Sequence, residues 1–388
     1  MTRPNTDSGP DIGADDKPVT PSLLLDVDRM TRNIQSMEAQ MSGLGVSIRP
    51  HVKTCKSIEI ARRMMADESP GITVSTLAEA EYFFNHGICD QLYAVGIAPG
   101  KLARVAELYQ RGLELKLVLD DLDAAYRVVE AAGRLECRFR LLLEIDADGQ
   151  RGGFAPDAHA LIESADLLAQ GGCRVMGVMT HMGASYDCRD TACLRRAAER
   201  ERLAVVSAAR HLVRAGHDCP IVSVGSTPTA RFARRMDGVT EVRTGTHVFM
   251  DLVMAGLGVC RISDIALSVL TEVIGYRAGA GEWIVDAGWM ALSRDRGTAA
   301  QAVDQGYGLV CDQDGKVIDD IIVRATSQEH GILALRSGKP IDADRFDVGE
   351  RLRILPNHAC ATAGKHDGYW LIGDGQQPRR YWPRIHGW

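Results

Sequence analysis

The stretch Arg49-Pro50-His51-Val52-Lys53-Thr54-Cys55-Lys56-Ser57 holds the first side chain that could do covalent chemistry. Val46 and Ile48 precede it and predict a short buried strand that ends at Lys53. A lysine at such a strand end lies where α/β barrels build their active sites, and lysine forms Schiff bases with carbonyl compounds. The alternative interpretation is that Lys53 and Lys56 are ordinary surface lysines.

Two short loops rich in Gly, Ser and Thr have the composition of phosphate-binding loops. They are Val224-Gly225-Ser226-Thr227-Pro228-Thr229 and Arg243-Thr244-Gly245-Thr246, and each ends a predicted strand. Glycine lets the backbone approach a ligand, and backbone N–H groups and hydroxyls bond phosphate oxygens. Each loop alone is a weak signal, since most such runs are turns. Together with a strand-end lysine they indicate pyridoxal 5′-phosphate, which needs an imine to its aldehyde and an anchor for its phosphate.

A second candidate site is Pro356-Asn357-His358-Ala359-Cys360. His and Cys two positions apart, on a strand or at its end, face one side, so that one metal ion can take both. Two protein ligands leave open positions for water or substrate oxygens, as in catalytic metal sites. The alternative is a core cysteine beside an incidental histidine.

Short apolar strands alternate with helical patterns through the first two thirds of the chain. Eight strand candidates, counted from the one that ends at Lys53, predict βαβ units closed into a parallel (β/α)8 barrel. An open doubly wound sheet is the alternative, but no G-x-G-x-x-G motif follows an early strand. The other strands are predicted at 71–76, 91–97, 113–120, 138–146, 174–182, 221–228 and 241–247, and the helices at 29–43, 77–86, 100–111, 123–133, 158–171 and 191–216.

Beyond about residue 256 the helical periodicity nearly disappears, and strand-like runs alternate with turn signals such as those at 278–281, 312–315 and 373–375. This predicts an all-β second domain. The strand at 22–27 can join it, because the barrel count is complete without that strand. The predicted organisation is a disordered tail at 1–19, a strand of the β-domain at 20–28, the barrel at 29–255 and the β-domain at 256–388.

Composition is that of an ordinary soluble globular protein, with 45% hydrophobic and 25% charged residues. The net charge of −6 argues against nucleic acid or an anionic membrane as a partner. The ten cysteines stand singly, without a C-x-x-C pair. A chain of this length needs no disulfide framework, so most are predicted to be reduced core residues of a cytoplasmic protein.

Several motifs resemble the fold-type III pyridoxal-phosphate enzymes that act on D-3-hydroxy amino acids. The similarity extends from Thr20 to Trp388 and includes the Pro-His-Val-Lys-Thr, Gly-Ser-Thr-Pro-Thr, Asp-Ala-Gly-Trp and Pro-Asn-His-x-Cys segments. The family includes D-serine dehydratase, D-threonine aldolase and D-threo-3-hydroxyaspartate dehydratase, and segments 72–77, 287–297 and 328–333 are most similar to the last. The resemblance implies an alanine-racemase-like barrel plus a β-domain, assembled as a homodimer that binds a small-molecule substrate.

The resemblance also implies roles for individual residues. Lys53 would hold pyridoxal 5′-phosphate and remove the α-proton of the substrate. Arg151 would lie near the phenolate of the cofactor ring, and Tyr186 would face its pyridine. His358 and Cys360 would bind a divalent metal, such as zinc, manganese, cobalt or magnesium, that assists departure of the β-hydroxyl. The phosphate would be held by Gly225, Ser226, Thr227, Gly245 and Thr246.

The implied reaction is dehydration of D-threo-3-hydroxyaspartate or D-serine to a 2-oxo acid and ammonia. The alternative is the retro-aldol reaction of D-threonine aldolase, which gives glycine and an aldehyde. The aldolases and many D-serine dehydratases of the family have histidine two residues after the cofactor lysine, where this chain has Cys55. The aldolases also have a His-x-Asp metal pattern in place of His358-x-Cys360. Both departures favour a dehydratase.

Two further classes, an amino-acid racemase and a non-catalytic pyridoxal-phosphate carrier, fit less well because neither uses a metal pair. Arg294 and Arg296 are candidates for holding a second carboxylate of the substrate, by their position in a loop.

Overall fold

The computed structural model describes residues 18–65, 69–373 and 381–388. Two compact units divide the chain. One contains Gln35–Gly245 with Gly387–Trp388, and the other contains the described residues up to Ile34 with Thr246–His386. The predicted tail, apart from Pro18 and Val19, lies outside the described residues, as does all but the first position of the predicted turn at 373–375. Among the helices in the described ranges, none has the length and apolar character needed to span a membrane.

A barrel of parallel strands forms the unit that contains Lys53. The described chain opens with strand β1 (Ser22–Asp26) and helix α1 (Val27–Gly43). The barrel strands are β2 (Ser47–Ile48), β3 (Ile72–Val74), β4 (Asp90–Gly96), β5 (Glu114–Leu119), β6 (Arg140–Glu144), β7 (Arg174–Met179), β8 (Ile221–Val224) and β9 (Glu241–Val242). Their order is β2-β9-β8-β7-β6-β5-β4-β3.

The chain that follows β2 closes this sheet. His51 and Thr73 form a parallel bridge, and the Val52 N–H donates to the Thr73 carbonyl at 2.9 Å. The chain after β2 thereby pairs with β3, while β2 itself pairs with β9. The predicted (β/α)8 barrel is confirmed, and the open sheet is not formed.

In the described part of the chain seven helices connect the barrel strands, and side-chain caps fix where several of them begin. Thr76, Asp121 and Asp190 each accept a backbone N–H in the first turn of the helix that follows, which is how short polar side chains stabilise helix starts. The helices are α2 (Ile58–Met64), α3 (Leu77–Asn85), α4 (Leu102–Gln110), α5 (Leu122–Leu135), α6 (His159–Gln170), α7 (Thr191–Arg214) and α8 (Thr227–Phe232).

A network of charges, with a partly exposed Asp90 between buried partners, ties several barrel strands together. Arg49 is 2% exposed and bonds Glu241 of β9 at 2.8 Å and Asp90 of β4 at 2.5 Å. The second oxygen of Asp90 accepts from Lys116 of β5 at 2.7 Å. Breaking one partner of such a pair leaves a buried charge uncompensated, so the network fixes strand register more than it adds stability.

The second unit is a β-domain, as predicted for the C-terminal part, and its strands pair antiparallel except for β1 with β16. Its strands are β1 and β10 (Leu267–Arg277), β11 (Glu282–Val285), β12 (Leu309–Cys311), β13 (Val317–Thr326), β14 (Gly331–Leu335), β15 (Arg351–Leu355), β16 (Gly368–Ile372) and β17 (Tyr381–Pro383). The long strand β10 pairs with β15, with β1 and, beyond a register shift, with β11. Because β11 continues through β14, β13 and β12 back to β15, six strands close into a ring.

Among the described residues of the β-domain, three helices of four or five residues interrupt the strands: α9 (Leu252–Gly256), α10 (Trp289–Leu292) and α11 (Ala359–Ala363). The sequence patterns do not predict them, because one turn of helix is too short to show a 3.6-residue period.

The cysteines do not all stand singly. Cys188 and Cys193 form a disulfide, with their Cα atoms 5.5 Å apart. Asp190 lies between them and caps α7 by accepting the Cys193 N–H. The sequence spacing did not predict this disulfide, because it does not show how the chain folds at the start of the helix.

Candidate active site

Lys53 lies in the turn between β2 and α2, and its side chain is exposed. The predicted strand is shorter than expected, because pairing ends at the His51 bridge and the chain then leaves the sheet. Lys56 is not the surface lysine of the alternative interpretation. Its amine bonds the Glu79 carboxylate at 3.0 Å, and the side chains of Lys56 and Glu79 are only 15% and 0% exposed. This ion pair anchors the turn that carries Lys53.

Three cations converge on one histidine at the same end of the barrel. His181 follows β7, and its Nδ1 bonds the Gly225 carbonyl at 2.5 Å, which places the imidazole proton on Nδ1. Burial, together with the charges of Arg151, Lys53 and Arg243, lowers the pKa of His181 to about 3. The imidazole is therefore neutral at pH 7, and the two predicted residues Lys53 and Arg151 share their surroundings with Arg243.

The two glycine loops sit where a side chain would not fit. A Cβ on Gly225 would lie 2.2 Å from the Arg243 carbonyl oxygen, and a Cβ on Gly245 would lie 2.7 Å from the His51 carbonyl oxygen. In the first loop, Ser226 caps α8 and its hydroxyl bonds Thr229. Both loops thus approach their neighbouring strand more closely than other residues allow.

Two buried polar atoms near these loops have no hydrogen-bond partner among the described residues: His51 Nδ1 and Thr244 Oγ1. They belong to neighbouring strand ends, because the His51 N–H donates to the Thr244 carbonyl at 2.8 Å. Buried polar groups normally find partners. A cation-rich strand end with two glycine loops and unpartnered buried atoms fits an anionic cofactor such as pyridoxal 5′-phosphate.

Two predicted cofactor residues lie in turns. Tyr186 is in the turn Gly183–Asp187 after β7, with 37% of the residue exposed. The Asp148 carboxylate accepts the Ala184 N–H at 2.8 Å and so attaches that turn to the loop that carries Arg151. Thr246 begins the short turn Thr246–Val248, directly after Gly245.

The predicted metal pair is brought together in the β-domain unit. His358 Nδ1 and Asp295 Oδ2 are 2.7 Å apart, and the imidazole also bonds the Cys360 thiol. Burial lowers the pKa of His358, but Asp295 and Cys360 outweigh it and raise the pKa to about 11. Because Asp295 occupies Nδ1, Nε2 is the nitrogen left for a metal. The side chains of His358 and Cys360 contact each other, so together they fit one divalent ion.

The pair does not lie on a strand. His358 has an extended backbone and precedes α11, and Cys360 is in the first turn of that helix. Asn357 is buried and bonds Thr298, Gly306 and the Asp295 backbone, which fixes the motif. In the described ranges no group of three or more His, Cys, Asp or Glu side chains could hold a metal. The roles of His358 and Cys360 as metal ligands stay a prediction.

Asp295 is the residue that sequence reasoning missed, since 63 positions separate it from His358. The two neighbouring arginines differ. Arg294 is exposed and stacks on the Trp289 ring at 4.1 Å, whereas Arg296 bonds Asp304 at 2.6 Å. Of the two, Arg294 is the one that no described acidic side chain engages in an ion pair.

Cys55 points into packed surroundings. Its residue is fully buried, and Sγ lies 3.5 Å from the Val52 carbonyl oxygen and 4.0 Å from the Met64 sulfur on α2. Cys55 therefore contributes to the packing of the turn that carries Lys53.

Comparison with known proteins agrees with this architecture. The family described as alanine racemase, N-terminal domain, matches residues 25–253, and the putative serine dehydratase domain matches residues 266–372. The chain is 51% identical to D-threo-3-hydroxyaspartate dehydratase of Delftia sp. (strain HT23), over 95% of this chain and 98% of that protein. It is 28% identical to D-serine dehydratase of Dictyostelium discoideum, over 94% and 97% of the two chains.

A solved cysteine-to-alanine mutant of D-threo-3-hydroxyaspartate dehydratase, in the metal-free form, superposes with a TM-score of 0.93. It has 48% identity and covers 96% of this chain and 98% of its own. The chain therefore belongs to the fold-type III pyridoxal-phosphate lyases of the D-serine dehydratase and D-threonine aldolase family.

Proposed function

We propose that this protein is a dehydratase of D-3-hydroxy amino acids that uses pyridoxal 5′-phosphate and a divalent metal, with D-threo-3-hydroxyaspartate as its preferred substrate and D-serine as a second. The observation that carries the proposal is the contact between His358 and Cys360, with Asp295 behind the imidazole. A metal pair suits the loss of a hydroxyl group, which is otherwise a poor leaving group. The identity to a dehydratase over nearly the whole chain supports the same reaction.

When bound, the cofactor supplies an electron sink for charge at the substrate α-carbon, and the metal supplies a Lewis acid. The protein supplies the rest. We assign to Lys53 Nζ the removal of the α-proton, since a lysine that has released the cofactor aldehyde has a free amine next to the substrate. Loss of that proton and of the β-hydroxyl as water leaves an enamine acid, which hydrolyses to a 2-oxo acid and ammonia.

The loops at 225–227 and 245–246 are assigned to the cofactor phosphate, and Arg151 and Tyr186 to its ring. Gly225 serves this purpose through its missing side chain, since its N–H and carbonyl already bond Glu201 and His181. The amides and hydroxyls that follow Gly225 are the groups left for phosphate oxygens. His181 is neutral at neutral pH. It therefore holds the Gly225 carbonyl by a hydrogen bond without placing a positive charge there.

For the substrate, we assign Arg294 to the second carboxylate of 3-hydroxyaspartate. Its guanidinium is held against Trp289 and is engaged in no ion pair with a described residue. Guanidinium groups bind carboxylates through two parallel N–H donors. Replacing Arg294 with Met would lower kcat/KM for D-threo-3-hydroxyaspartate and leave D-serine nearly unchanged.

The deciding experiment is a product analysis. Purified protein is treated with chelator, given back Zn²⁺, Mn²⁺, Co²⁺ or Mg²⁺, and mixed separately with D-threo-3-hydroxyaspartate, D-serine and D-threonine. We expect 2-oxo acid and ammonia in equal amounts, only with metal. Glycine and an aldehyde as the main products would overturn the dehydratase proposal in favour of an aldolase.

Cofactor attachment has its own test. The protein with pyridoxal 5′-phosphate should show an absorbance band near the visible edge that Lys53→Ala lacks and that a control variant of an exposed lysine, Lys339→Ala, keeps. A band that survives Lys53→Ala would assign the cofactor to another amine. The homodimer and the cytoplasmic location are further parts of the proposal, and light scattering on the purified protein tests the first.

A further inference from the structure

One buried carboxylate bridges the loops that follow two neighbouring barrel strands. Glu201 lies on α7 and is 2% exposed. Its Oε1 accepts the Met182 N–H at 3.0 Å and the Gly225 N–H at 3.3 Å. Met182 belongs to loop 180–186, which follows β7, and Gly225 begins loop 225–229, which follows β8. A single oxygen atom therefore sets the distance between the two loops.

The same carboxylate also reaches the far end of loop 225–229. The Thr229 side chain interacts with it and helps to lower its pKa, and the Thr229 hydroxyl bonds the Ser226 hydroxyl at 2.8 Å. The carbonyl of Gly225 accepts from His181, so both polar backbone groups of this glycine are held by loop 180–186 or by the carboxylate that supports it. The loop has little freedom left to move.

A buried arginine places positive charge near Glu201. Burial is the largest influence and raises the pKa of Glu201, while the Thr229 hydroxyl, the bonded N–H groups and the positive charge of Arg243 offset part of this rise. Arg243 is itself 4% exposed and donates to the Thr180 carbonyl at 2.6 Å. The pair holds a carbonyl and an amide of the same loop from two sides, which explains how a carboxylate can remain in a dry interior.

We propose that Glu201 is a positioning residue that holds loop 225–229 in the shape that receives the phosphate of the cofactor. This inference rests on the proposed function, since it assumes that the loop binds that phosphate. Glu201 touches neither substrate nor cofactor in this account. Its effect should therefore depend on whether the ligand carries a phosphate.

The test compares pyridoxal 5′-phosphate with pyridoxal, which has the same ring and aldehyde but no phosphate. Their dissociation constants are measured by absorbance titration of the full-length apoprotein. Glu201→Ala leaves two buried N–H groups without an acceptor, so we expect the pyridoxal 5′-phosphate constant to rise about tenfold or more, and the pyridoxal constant to change less than about twofold. Glu201→Gln keeps an acceptor oxygen and should restore binding to within about threefold of wild type.

A matched control separates positioning from general loss of stability. Leu212 lies on the same helix and is fully buried, and it is not among the residues that bond either loop. Leu212→Ala should lower the melting temperature and leave the ratio of the two constants unchanged. If Glu201→Ala does not fold, Glu201→Asp keeps the charge but shortens the reach, and the same selective loss is expected.

Equal losses for both ligands, or an unchanged ratio in folded Glu201→Ala or Glu201→Asp, would overturn the inference while leaving the proposed function intact. A wild-type protein that binds neither ligand would overturn the proposed function and this inference with it. Binding of both ligands by wild type, with a selective loss in the variants, supports both.

Discussion

The bond between Asp295 and His358 makes a quantitative prediction about metal affinity. Asp295 Oδ2 accepts from His358 Nδ1 at 2.7 Å, and Asp295 Oδ1 accepts the Gly297 N–H at 2.8 Å. Both carboxylate oxygens are therefore occupied as acceptors. Asp295→Asn keeps the shape but has one acceptor oxygen, so one of the two bonds must be lost, and the negative charge behind the imidazole disappears.

The size of the effect follows from exposure. The side chain of Asp295 is 31% exposed and that of His358 is 42% exposed. Solvent therefore screens the charge, and the hydrogen bond contributes less free energy than a fully buried charged one. Loss of a carboxylate that supports a ligating histidine typically costs about 10- to 100-fold in metal affinity. This corresponds to about 1.4 to 2.7 kcal/mol. We expect the dissociation constant of Asp295→Asn for Mn²⁺ or Zn²⁺ to rise within that range.

Isothermal titration of each metal into chelator-treated protein measures the constant directly. His358→Ala sets the value for a protein without the site. Asp320→Asn is the matched control, since Asp320 is also a half-exposed carboxylate of the β-domain unit that accepts a backbone N–H, from Ser337. An affinity of Asp295→Asn equal to wild type would show that Asp295 does not orient the histidine, and the reasoning would be wrong.

Two further predictions concern stability. Gly225→Ala places a methyl group 2.2 Å from the Arg243 carbonyl oxygen and should destabilise the protein by about 1–3 kcal/mol in thermal melts, whereas Gly100→Ala, with nothing within 4 Å, should melt like wild type; equal melting of both variants would contradict the close approach. Burial lowers the pKa of His247 to about 4. Between pH 6.5 and 4 the unfolded chain therefore binds a proton at this histidine that the folded chain does not bind. As the pH falls through that window, the free energy of unfolding should decrease by up to about 1.4 kcal/mol per pH unit. His247→Gln should lose this part of the pH dependence in urea titrations at pH 7 and 5, and an unchanged slope would refute it.

The barrel could be predicted because its signals are local. Helix α7 is readable from Asp190, which caps it, and from the spacing of its buried residues. The end of the first barrel strand was placed too late, at Lys53, because an apolar run shows where a strand begins but not where its pairing stops. Pairing stops at His51, and that depends on a partner on β3, Thr73.

Candidate site residues could be named from the sequence only where they belong to a motif, and their chemical roles stay predictions. Lys53, His358 and Cys360 stand in short recognisable segments. Asp295 does not, since nothing in the sequence around it indicates that a histidine 63 positions away will donate to it. His358 and Cys360 were expected on a strand or at its end. They lie instead at the start of α11, after Asn357, whose side chain bonds Thr298 and the Gly306 carbonyl.

In each unit, a buried carboxylate holds backbone N–H groups next to candidate site residues. In the barrel, Glu201 accepts two backbone N–H groups from different loops; in the β-domain unit, Asp251 accepts the Met254 N–H at 2.9 Å and the Ala359 N–H at 2.9 Å, next to His358. Both carboxylates are almost fully buried, at 2% and 1% exposure. A buried carboxylate is costly unless its oxygens are bonded, so it tolerates little displacement of the amides that it holds. Such residues stand in no recognisable motif, yet they hold the backbone that carries the candidate cofactor and metal residues.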